Sequence, residues 1–378
     1  MHKIAQKKQS GIIKALMMLA ALYVFIVSIE TLGAAFNMMG KGFADQLMKT
    51  TDNPVVGLFI GLLVTSIIQS SSCTTSLVVT LVAAGTLTIG NAVPIIMGAN
   101  IGTTITNMLV SLGSMGRRDE FRRAMGAATV HDFFNILCVC IFLPVEILTH
   151  FLQTSAIWLA QAFNSVGGLT VVKPLDYVAK PIVDSGRDIA ASLLPGIWGG
   201  LSLAAVALTV LFFALVVLVK VMRSATEGRF EVLFDKYVGR YPYLAFLLGV
   251  VVTGIIQSSS VVTSLLVPIA GAGIMTVEQI YPVTLGANIG TTVTALLAAL
   301  AIGKWEGLAI ALVHTLFNVC GSFIFFVIAP LRVVPITLAK TLAALCARAR
   351  YFAIIYVIVV FFALPGLILL IQNLLGGK

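Results

Sequence analysis

The sequence predicts an all-α polytopic membrane protein, built on an inverted-topology repeat with two re-entrant helical hairpins. Three observations predict this fold: the composition, the recurrence of long uncharged segments and an internal duplication. Of the 378 residues, 59% are hydrophobic and 10% are charged, and the mean hydropathy is +1.05. A water-soluble domain carries about a quarter charged residues, so the composition excludes a soluble globular protein.

Uncharged segments long enough to cross a bilayer recur along the chain. A membrane-spanning helix needs about 20 mainly apolar residues. The clearest such segments are residues 11–30, 124–145, 196–219, 308–329 and 351–370. The first is longer than the core of a signal peptide and is not followed by a small-x-small cleavage site, so we interpret it as a retained span.

The charges and the cysteines give little support to other classes of protein. The net charge is +9, but the basic residues lie in short loops between spans, as the positive-inside rule produces, so we predict no nucleic-acid partner. The five cysteines lack metal-ligand spacing, and their odd number argues against a disulfide framework. We therefore expect structural cysteines and no cofactor.

An internal duplication relates two parts of the chain. Residues 61–112 align without gaps on residues 249–300, with more than half of the positions identical. Both copies contain the sequence Gln-Ser-Ser-Ser, here called the QSSS motif, and then Gly-Ala-Asn-Ile-Gly-Thr-Thr, here called the GANIGTT motif. Further along, His131-x-x-Phe-Asn135 matches His314-x-x-Phe-Asn318. Such a duplication is typical of secondary transporters.

Loop charge indicates how the two copies face the membrane. Copy one leads into a short basic loop at residues 117–123, and copy two follows the basic stretch 220–240. Short basic loops are cytoplasmic, so the two copies enter the bilayer from opposite faces. Each QSSS motif also breaks an apolar segment, 53–86 or 241–275, at its centre. A re-entrant hairpin is the simplest fold for such a segment, since non-helical backbone at membrane depth must be buried in protein or line a cavity.

This organisation divides the chain into five predicted parts. The first holds an N-terminal cytoplasmic segment and one span, the second is repeat 1, and the third is a linker with an extracytoplasmic loop, one span and a cytoplasmic loop. The fourth is repeat 2, and the fifth holds a cytoplasmic loop and the last span. Their bounds are 1–52, 53–145, 146–240, 241–330 and 331–378.

The paired QSSS motifs are the candidate substrate site. Polar groups left unpaired in hydrocarbon cost several kcal/mol each, and two clusters at equivalent repeat positions favour a binding site over helix packing by small residues. A half-helix starting at Cys73 or Val261 would present free N–H groups and a positive dipole end to an anion. The predicted anion-binding residues are Gln69, Ser70, Ser71, Ser72, Gln257, Ser258, Ser259 and Ser260.

The GANIGTT motifs supply candidate cation ligands. Neither QSSS motif contains Arg or Lys, so bound cations would have to neutralise the anion. Glycines loosen the helix and expose carbonyls, and such oxygens coordinate sodium in broken-helix transporters. Close packing through glycine is the alternative reading. The predicted sodium-binding residues of these motifs are Asn100, Thr103, Thr104, Asn288, Thr291 and Thr292.

Two further features of the sequence bear on proton-linked and enzymatic chemistry. His131 and His314 occupy matching positions, and a proton-linked role and a structural role both stay open for them. An enzyme is disfavoured, because a serine nucleophile needs a partnered base, and the two serine triplets lie far in sequence from either histidine. A phosphate-binding P-loop is absent from the sequence, which argues against direct use of ATP.

The paired QSSS and GANIGTT motifs resemble those of the type II sodium–phosphate cotransporter family, in a bacterial form, over nearly the whole chain. The resemblance implies sodium-coupled import of inorganic phosphate across the plasma membrane, here a bacterial inner membrane, with sodium as the coupling ion and lipid as the surroundings. The resemblance implies that the QSSS motifs hold phosphate and sodium, with Gln69, Gln257 and Ser258 as sodium ligands. The sequence leaves the oligomeric state open, a homodimer included.

One departure from the family concerns the coupling ratio. Electrogenic members carry Asp after the glycine that ends the copy-one helix, where this chain has Arg117 after Gly116. Because Arg cannot ligate sodium, we hypothesise an electroneutral cycle with two sodium ions per divalent phosphate. The alternatives to this function are a sodium-coupled carrier of another small oxyanion and an anion channel.

Overall fold

A computed structural model describes residues 2–167, 174–226 and 241–376, and every regular element in these ranges is helical. The α-helices of the first half are α1 His2–Thr51, α2 Pro54–Ile68, α3 Ser71–Ala83, α4 Ile89–Gly102, α5 Ile105–Leu112, α6 Arg118–Thr149, α7 Phe151–Ser165 and α8 Pro174–Leu193. Those of the second half are α9 Ile197–Thr226, α10 Pro242–Ile256, α11 Ser259–Gly271, α12 Val277–Ile302, α13 Trp305–Ser322, α14 Ala329–Arg348, α15 Tyr351–Ile358 and α16 Leu364–Gly376. Two π-helical segments, Phe323–Val327 and Val359–Ala363, interrupt the last third.

Within the described ranges, eight helical segments are long and apolar enough to cross a membrane. They are Ile13–Thr51, Ile89–Leu112, Arg118–Thr149, Ile197–Val221, Val277–Ile302, Trp305–Val327, Ala329–Arg348 and Tyr351–Leu374. Large apolar side chains such as Leu148, Phe213 and Ile274 lie exposed on the outside, where lipid would cover them. The predicted all-α polytopic membrane fold is confirmed.

Four shorter apolar helices flank the QSSS motifs. α2 and α10 have 15 residues each, and α3 and α11 have 13 each, fewer than the about 20 needed to cross the hydrocarbon core. Gln69 separates α2 from α3, and Gln257 separates α10 from α11, each in the left-handed conformation. The helix breaks therefore lie at the motifs. Whether each pair is re-entrant in the bilayer stays a prediction.

Glycines hold α2 against α4 and α10 against α12, backbone to backbone. A Cβ on Gly98 would lie 1.8 Å from the carbonyl oxygen of Leu58, and one on Gly286 would lie 2.1 Å from that of Phe246. Gly61 approaches Ile95 in the same way. Since the two copies make equivalent contacts, the duplication extends to local packing, while their opposite orientation in the membrane stays a prediction.

The structure differs from the sequence-based expectation in three helices. The half-helices α3 and α11 begin at Ser71 and Ser259, two residues before the predicted starts, because the preceding serines already cap them. The fifth part of the chain was predicted to begin with a loop, but Ala329–Arg348 forms a helix that packs along α6. Of the predicted cytoplasmic loop 220–240, the first residues continue α9, and residues 227–240 lie outside the described ranges.

The remaining helices surround this core. α1 packs along α9, and a Cβ on Gly200 would lie 2.9 Å from the carbonyl oxygen of Ala35. α7 packs on α13, and α8 contacts both α1 and α9. α4 and α12, which carry the GANIGTT motifs, are among the most buried spans. The two motif-bearing copies therefore form the centre of the described fold.

Candidate functional site

Each QSSS motif forms a tight helix-to-helix turn of the same shape. Gln69 has φ 57° and Gln257 has φ 60°, and both close the preceding helix. The next residue is extended and caps the following helix: the Ser70 hydroxyl accepts from the Cys73 N–H at 3.2 Å, and that of Ser258 accepts from the Val261 N–H at 3.4 Å. Serine is a preferred N-cap residue, so the local sequence explains both breaks.

The two motifs contact each other directly. The Ser72 hydroxyl lies 3.2 Å from the carbonyl oxygen of Gln257 and 3.4 Å from the Thr294 hydroxyl of α12. These partners are 185 and 222 residues away along the chain. The fold thus brings the two predicted half-sites together and places the starts of α3 and α11 near one another.

The polar atoms of the motifs divide into buried and accessible sets. Ser71, Ser72 and Ser259 are buried. The remaining motif residues are half-buried or exposed: Gln69, Ser70, Gln257, Ser258 and Ser260. Hydroxyl and amide groups both donate and accept hydrogen bonds, and the accessible ones can meet a small polar solute.

The contact between the motifs is one-sided. By the alignment of the two copies, Ser260 corresponds to Ser72 and Thr106 to Thr294. Among the described residues, Ser260 makes no bond to Gln69 or Thr106, and the buried hydroxyl of Thr106 has no partner. The hydrogen bonds from the serine of copy one to copy two are therefore formed, and the equivalent bonds from the serine of copy two to copy one are not.

The GANIGTT residues are buried, except for Ile289, which is half-buried. The hydroxyls of Thr103 and Thr291 donate to carbonyls of their own helices at 3.0 Å. Those of Thr104 and Thr292 do the same at 2.8 Å. A hydroxyl that donates to a carbonyl keeps lone pairs for a cation, so these four residues keep the capacity for the predicted role, which stays a prediction.

Asn100 and Asn288 each contact a histidine, and their predicted role in sodium binding stays a prediction. Each amide is held by the histidine of the other copy: His131 Nε2 lies 2.6 Å from Asn288 Oδ1, and His314 Nε2 lies 3.3 Å from Asn100 Oδ1. Because an amide oxygen only accepts, Nε2 carries the hydrogen in both rings. The histidines and asparagines therefore form two crossed pairs between the copies.

The crossed pairs extend into a buried chain of hydrogen bonds. Asn288 Nδ2 donates to Asn135 Oδ1 at 2.7 Å, and Asn135 Nδ2 donates to the backbone carbonyl of Asn100 at 2.8 Å. At the other end, Asn107 Nδ2 lies 3.3 Å from His131 Nδ1, and its Oδ1 accepts from Thr263 on α11 at 3.0 Å. This chain, here called the His–Asn ladder, connects α11 to the GANIGTT motif of copy one.

Both ring nitrogens of His131 have a hydrogen-bond partner, whereas among the described residues only Nε2 of His314 has one. His314 Nδ1 is buried without a partner, because copy two has Ala295 where copy one has Asn107. Asn318 Oδ1 is also unpaired, although its amide nitrogen donates to Asn100 Oδ1 at 3.1 Å.

Sequence reasoning missed several residues of this centre. Asn135 and Asn318 stand in the repeated His-x-x-Phe-Asn motif, and that repetition is the signal that could have found them. Thr263 and Thr294 recur as Thr75 and Thr106 in copy one, so the same signal was available for them, whereas Asn107 has no counterpart in copy two. The histidines contact asparagines rather than the motif serines, so no serine is paired with a base there.

Comparison with known proteins places the chain in a family. The sequence model described as Na+/Pi-cotransporter matches residues 24–170 and 210–332. The human sodium-dependent phosphate transport protein 2B is 35% identical, with 94% of this chain and 64% of that protein aligned. The Pongo abelii sodium-dependent phosphate transport protein 2B is 35% identical, with 94% of this chain and 65% of that protein aligned. The rat sodium-dependent phosphate transport protein 2A is 34% identical, with 97% of this chain and 69% of that protein aligned.

The chain spans about two thirds of the length of these relatives. No solved structure matches the chain. The family match covers both QSSS motifs and both GANIGTT motifs, and it covers most of the chain. The protein belongs to the Na+/Pi-cotransporter family.

Proposed function

We propose that this protein is a sodium-coupled symporter that imports inorganic phosphate across the plasma membrane. The observation that carries the proposal is the hydrogen bond from the Ser72 hydroxyl to the Gln257 carbonyl. It brings the two QSSS motifs, each at the start of a helix, to one place in the fold. The relatives' names supply the ions: both 2A and 2B are sodium-dependent phosphate transport proteins.

The local electrostatics favours a small oxyanion in this place. Free N–H groups at a helix start attract an anion, and hydroxyl and amide donors surround the starts of α3 and α11. A divalent phosphate next to apolar helices needs positive charge, and neither motif contains Arg or Lys. Sodium ions near the GANIGTT motifs would supply that charge and raise phosphate affinity, and phosphate would raise sodium affinity by the same factor.

The repeat suggests how transport proceeds. Transporters with inverted repeats alternate by moving one repeat or bundle against another around a central site. The crossed pairs His131–Asn288 and His314–Asn100 join the two copies at this centre. One of these pairs is short and the other is long, which fits a protein that alternates between two related arrangements.

Uptake into proteoliposomes tests the function. We expect radiolabelled phosphate to accumulate uphill under an inward sodium gradient and not when potassium replaces sodium. Inhibition of uptake by unlabelled sulfate or a small carboxylate better than by phosphate would identify another oxyanion as the substrate. Phosphate current that reverses at the anion's equilibrium potential, without uphill accumulation, would identify a channel.

The coupling ratio is tested by current. Arg117 immediately precedes α6. Its side chain is 78% exposed and forms an ion pair with Glu120 at 2.9 Å, so its guanidinium is directed to solvent rather than to a buried ion. We propose an electroneutral cycle of two sodium ions per divalent phosphate. Uptake without phosphate-dependent current is the expected result, and an inward positive current would contradict it.

A further inference from the structure

The helices that follow the two QSSS motifs end in the same kind of turn. α3 ends at Ala83 and α11 ends at Gly271. Two residues later, Gly85 has φ 74° and Gly273 has φ 79°. A left-handed glycine commonly closes a helix, and the carbonyls of the last turn then need hydrogen-bond donors from outside the helix. The carbonyls of Ala83 and Gly271 are two such groups.

A cation from the other copy donates to each of these carbonyls. Lys304 Nζ donates to the carbonyl of Ala83 at 2.7 Å, and Arg123 Nε donates to that of Gly271 at 2.8 Å. Lys304 directly precedes α13, and Arg123 lies near the start of α6. A cation also interacts favourably with the negative dipole end of a helix. Each helix is thus tied to the other copy at the end away from its QSSS motif.

The duplication alone does not account for this pair of contacts. Counted back from the matching His-x-x-Phe-Asn motifs, Lys304 corresponds to Phe121, and Arg123 corresponds to Glu306. The two carbonyls, by contrast, are at equivalent positions of the aligned copies. Different positions and different residue types therefore make the same contact in the two copies.

Small residues let both helix ends pack closely on the other copy. A Cβ on Gly271 would lie 3.4 Å from the Cβ of Ala124 on α6. A Cβ on Gly307 of α13 would lie 3.3 Å from the Cβ of Ala83. At these distances the helices are in direct contact, so a hydrated ion has no path between them while the ends are held.

The two contacts lie beside separate cavities. One cavity, of about 350 Å³, is lined by Arg123 and Gly273, and Arg123 belongs to the short basic loop that is predicted to be cytoplasmic. Another, of about 300 Å³, is lined by Lys304 and Asp184, and Asp184 belongs to the linker that is predicted to hold the extracytoplasmic loop. The two contacts therefore correspond to opposite predicted faces of the membrane.

We propose that Arg123 and Lys304 hold two gates closed, one at each face of the membrane. This inference rests on the proposed function and adds to it the residues that close the two sides of the site. When one cation leaves its carbonyl, the end of α11 or α3 can move away from the other copy and open a path to the QSSS motif at the start of that helix. Alternating access then requires that the two contacts break in turn.

Disulfides across the gates test the inference. The Cβ distances at both helix ends are close to the about 3.8 Å found in disulfides, so Ala124→Cys with Gly271→Cys and Ala83→Cys with Gly307→Cys should cross-link. We expect either disulfide alone to lower phosphate uptake into proteoliposomes at least about tenfold, which corresponds to 1.4 kcal/mol. A reductant should restore the uptake.

A matched pair of cysteines controls for the effect of a disulfide as such. A Cβ on Gly126 of α6 would lie 3.7 Å from the Cβ of Ala343 on α14, and this contact crosses neither gate. Gly126→Cys with Ala343→Cys should therefore cross-link and keep its uptake. Mass spectrometry of proteolytic fragments identifies each disulfide.

Removal of a cation should open one gate and leave the other closed. Val267 on α11 and its counterpart Val79 on α3 are 1% and 0% exposed, and each becomes a probe by substitution with Cys. We expect Arg123→Met to raise the rate at which a membrane-impermeant maleimide modifies Val267→Cys at least about tenfold, from the side of the basic loop. Lys304→Met should do the same for Val79→Cys from the opposite side.

Each cation variant should leave the other probe unchanged. The conservative variants Arg123→Lys and Lys304→Arg should keep both probes protected. Sealed vesicles of both orientations separate the two sides, and the wild type, with its own cysteines, gives the background rate.

Contrary results are equally specific. Wild-type uptake by either cross-linked gate pair would overturn the inference, as would unchanged or equally raised rates at both probes in folded methionine variants. If the methionine variants do not fold, the disulfides decide the question. Sodium-dependent uptake that persists in both cross-linked gate pairs would refute the inference and leave the proposed function standing. Wild-type uptake indifferent to sodium would refute the proposed function, while the modification rates still test the gates.

Discussion

The hydroxyl of Ser72 donates to the carbonyl of Gln257 at 3.2 Å, and the equivalent bond from Ser260 to Gln69 is not formed among the described residues. Ser72 also reaches Thr294, whereas the counterpart of Thr294, Thr106, keeps a buried unpaired hydroxyl. For a duplicated site with one closed side and one open side, we expect a second arrangement in which the two copies exchange roles, here called the mirror-related arrangement. Several testable consequences depend on this asymmetry.

Paired cysteines test the exchange of roles. Ser72→Cys with Thr294→Cys should cross-link in the arrangement described here, and Thr106→Cys with Ser260→Cys should cross-link in the mirror-related arrangement. Each cross-link should block phosphate uptake, and a reductant should restore it. Cross-linking is read on denaturing gels after specific proteolysis between the copies.

The repeat also indicates how to replace the native cysteine beside the first engineered pair. Cys73 adjoins the first pair and is replaced by Val, the residue at the equivalent position 261. The four single-cysteine variants serve as controls. Failure of the Thr106–Ser260 pair to cross-link in a protein that still transports phosphate would refute the mirror-related arrangement.

Removal of one motif hydroxyl should weaken phosphate binding. Ser259 begins α11 and is 2% exposed, and a hydrogen bond to a charged group contributes about 1.5–3 kcal/mol. We expect Ser259→Ala and its counterpart Ser71→Ala to raise the Kd for phosphate by about ten- to a hundredfold at saturating sodium. Titration calorimetry on the purified protein measures the effect.

Ser264→Ala is the matched control on the same helix. Its hydroxyl donates to the carbonyl of Val261 at 3.2 Å and has no place in the proposed site, so the Kd should not change. Wild-type affinity in both motif variants would mean that the serines serve packing alone.

The two histidines should differ in their importance for stability. His131→Leu leaves Asn288 Oδ1 and Asn107 Nδ2 without their partner, and two buried unpaired groups cost about 2–6 kcal/mol together. His314→Leu affects Asn100 Oδ1, which still accepts from Asn318, and removes a ring nitrogen that was already unpaired. The apparent Tm in detergent should therefore fall more in His131→Leu, and equal losses would contradict the ladder.

The glycine contacts predict that two alanine substitutions in the same helix interface have very different effects on folding. Gly98→Ala would place Cβ 1.8 Å from the carbonyl of Leu58, whereas Gly57→Ala would place it 3.4 Å from Pro94 in the same interface. We expect the first variant to lose the monodisperse peak in size-exclusion chromatography and the second to keep it. A folded Gly98→Ala protein would show that α2 and α4 can separate.

The sequence predicted those features that follow from local patterns. Runs of apolar residues predicted spans, and a polar break at Gln69 and Gln257 predicted two half-helices. The helices start two residues earlier than the pattern predicts, because Ser70 and Ser258 cap them. The helix Ala329–Arg348 was predicted as a loop, since Arg332, Lys340 and Arg348 interrupt its apolar pattern.

The contacts of the candidate site could not be predicted in the same way. Asp132 meets a tyrosine 224 residues further along the chain, and Ser72 meets a carbonyl 185 residues away. A backbone carbonyl has no sequence signature, and Tyr356 belongs to no repeated motif. These contacts depend on how helices cross in space, which the pattern of one sequence does not specify.

The backbone contact of Gly61 and Gly98 with their neighbours also has a mechanical consequence. Two helices that touch through carbonyl oxygens and Cα atoms have no side-chain layer along which to slide. We therefore expect α2 and α4 to move as one rigid unit, and α10 and α12 as a second. The left-handed residues Gln69 and Gln257 would then be the hinges, about which α3 and α11 can rotate while the two rigid units keep their shape.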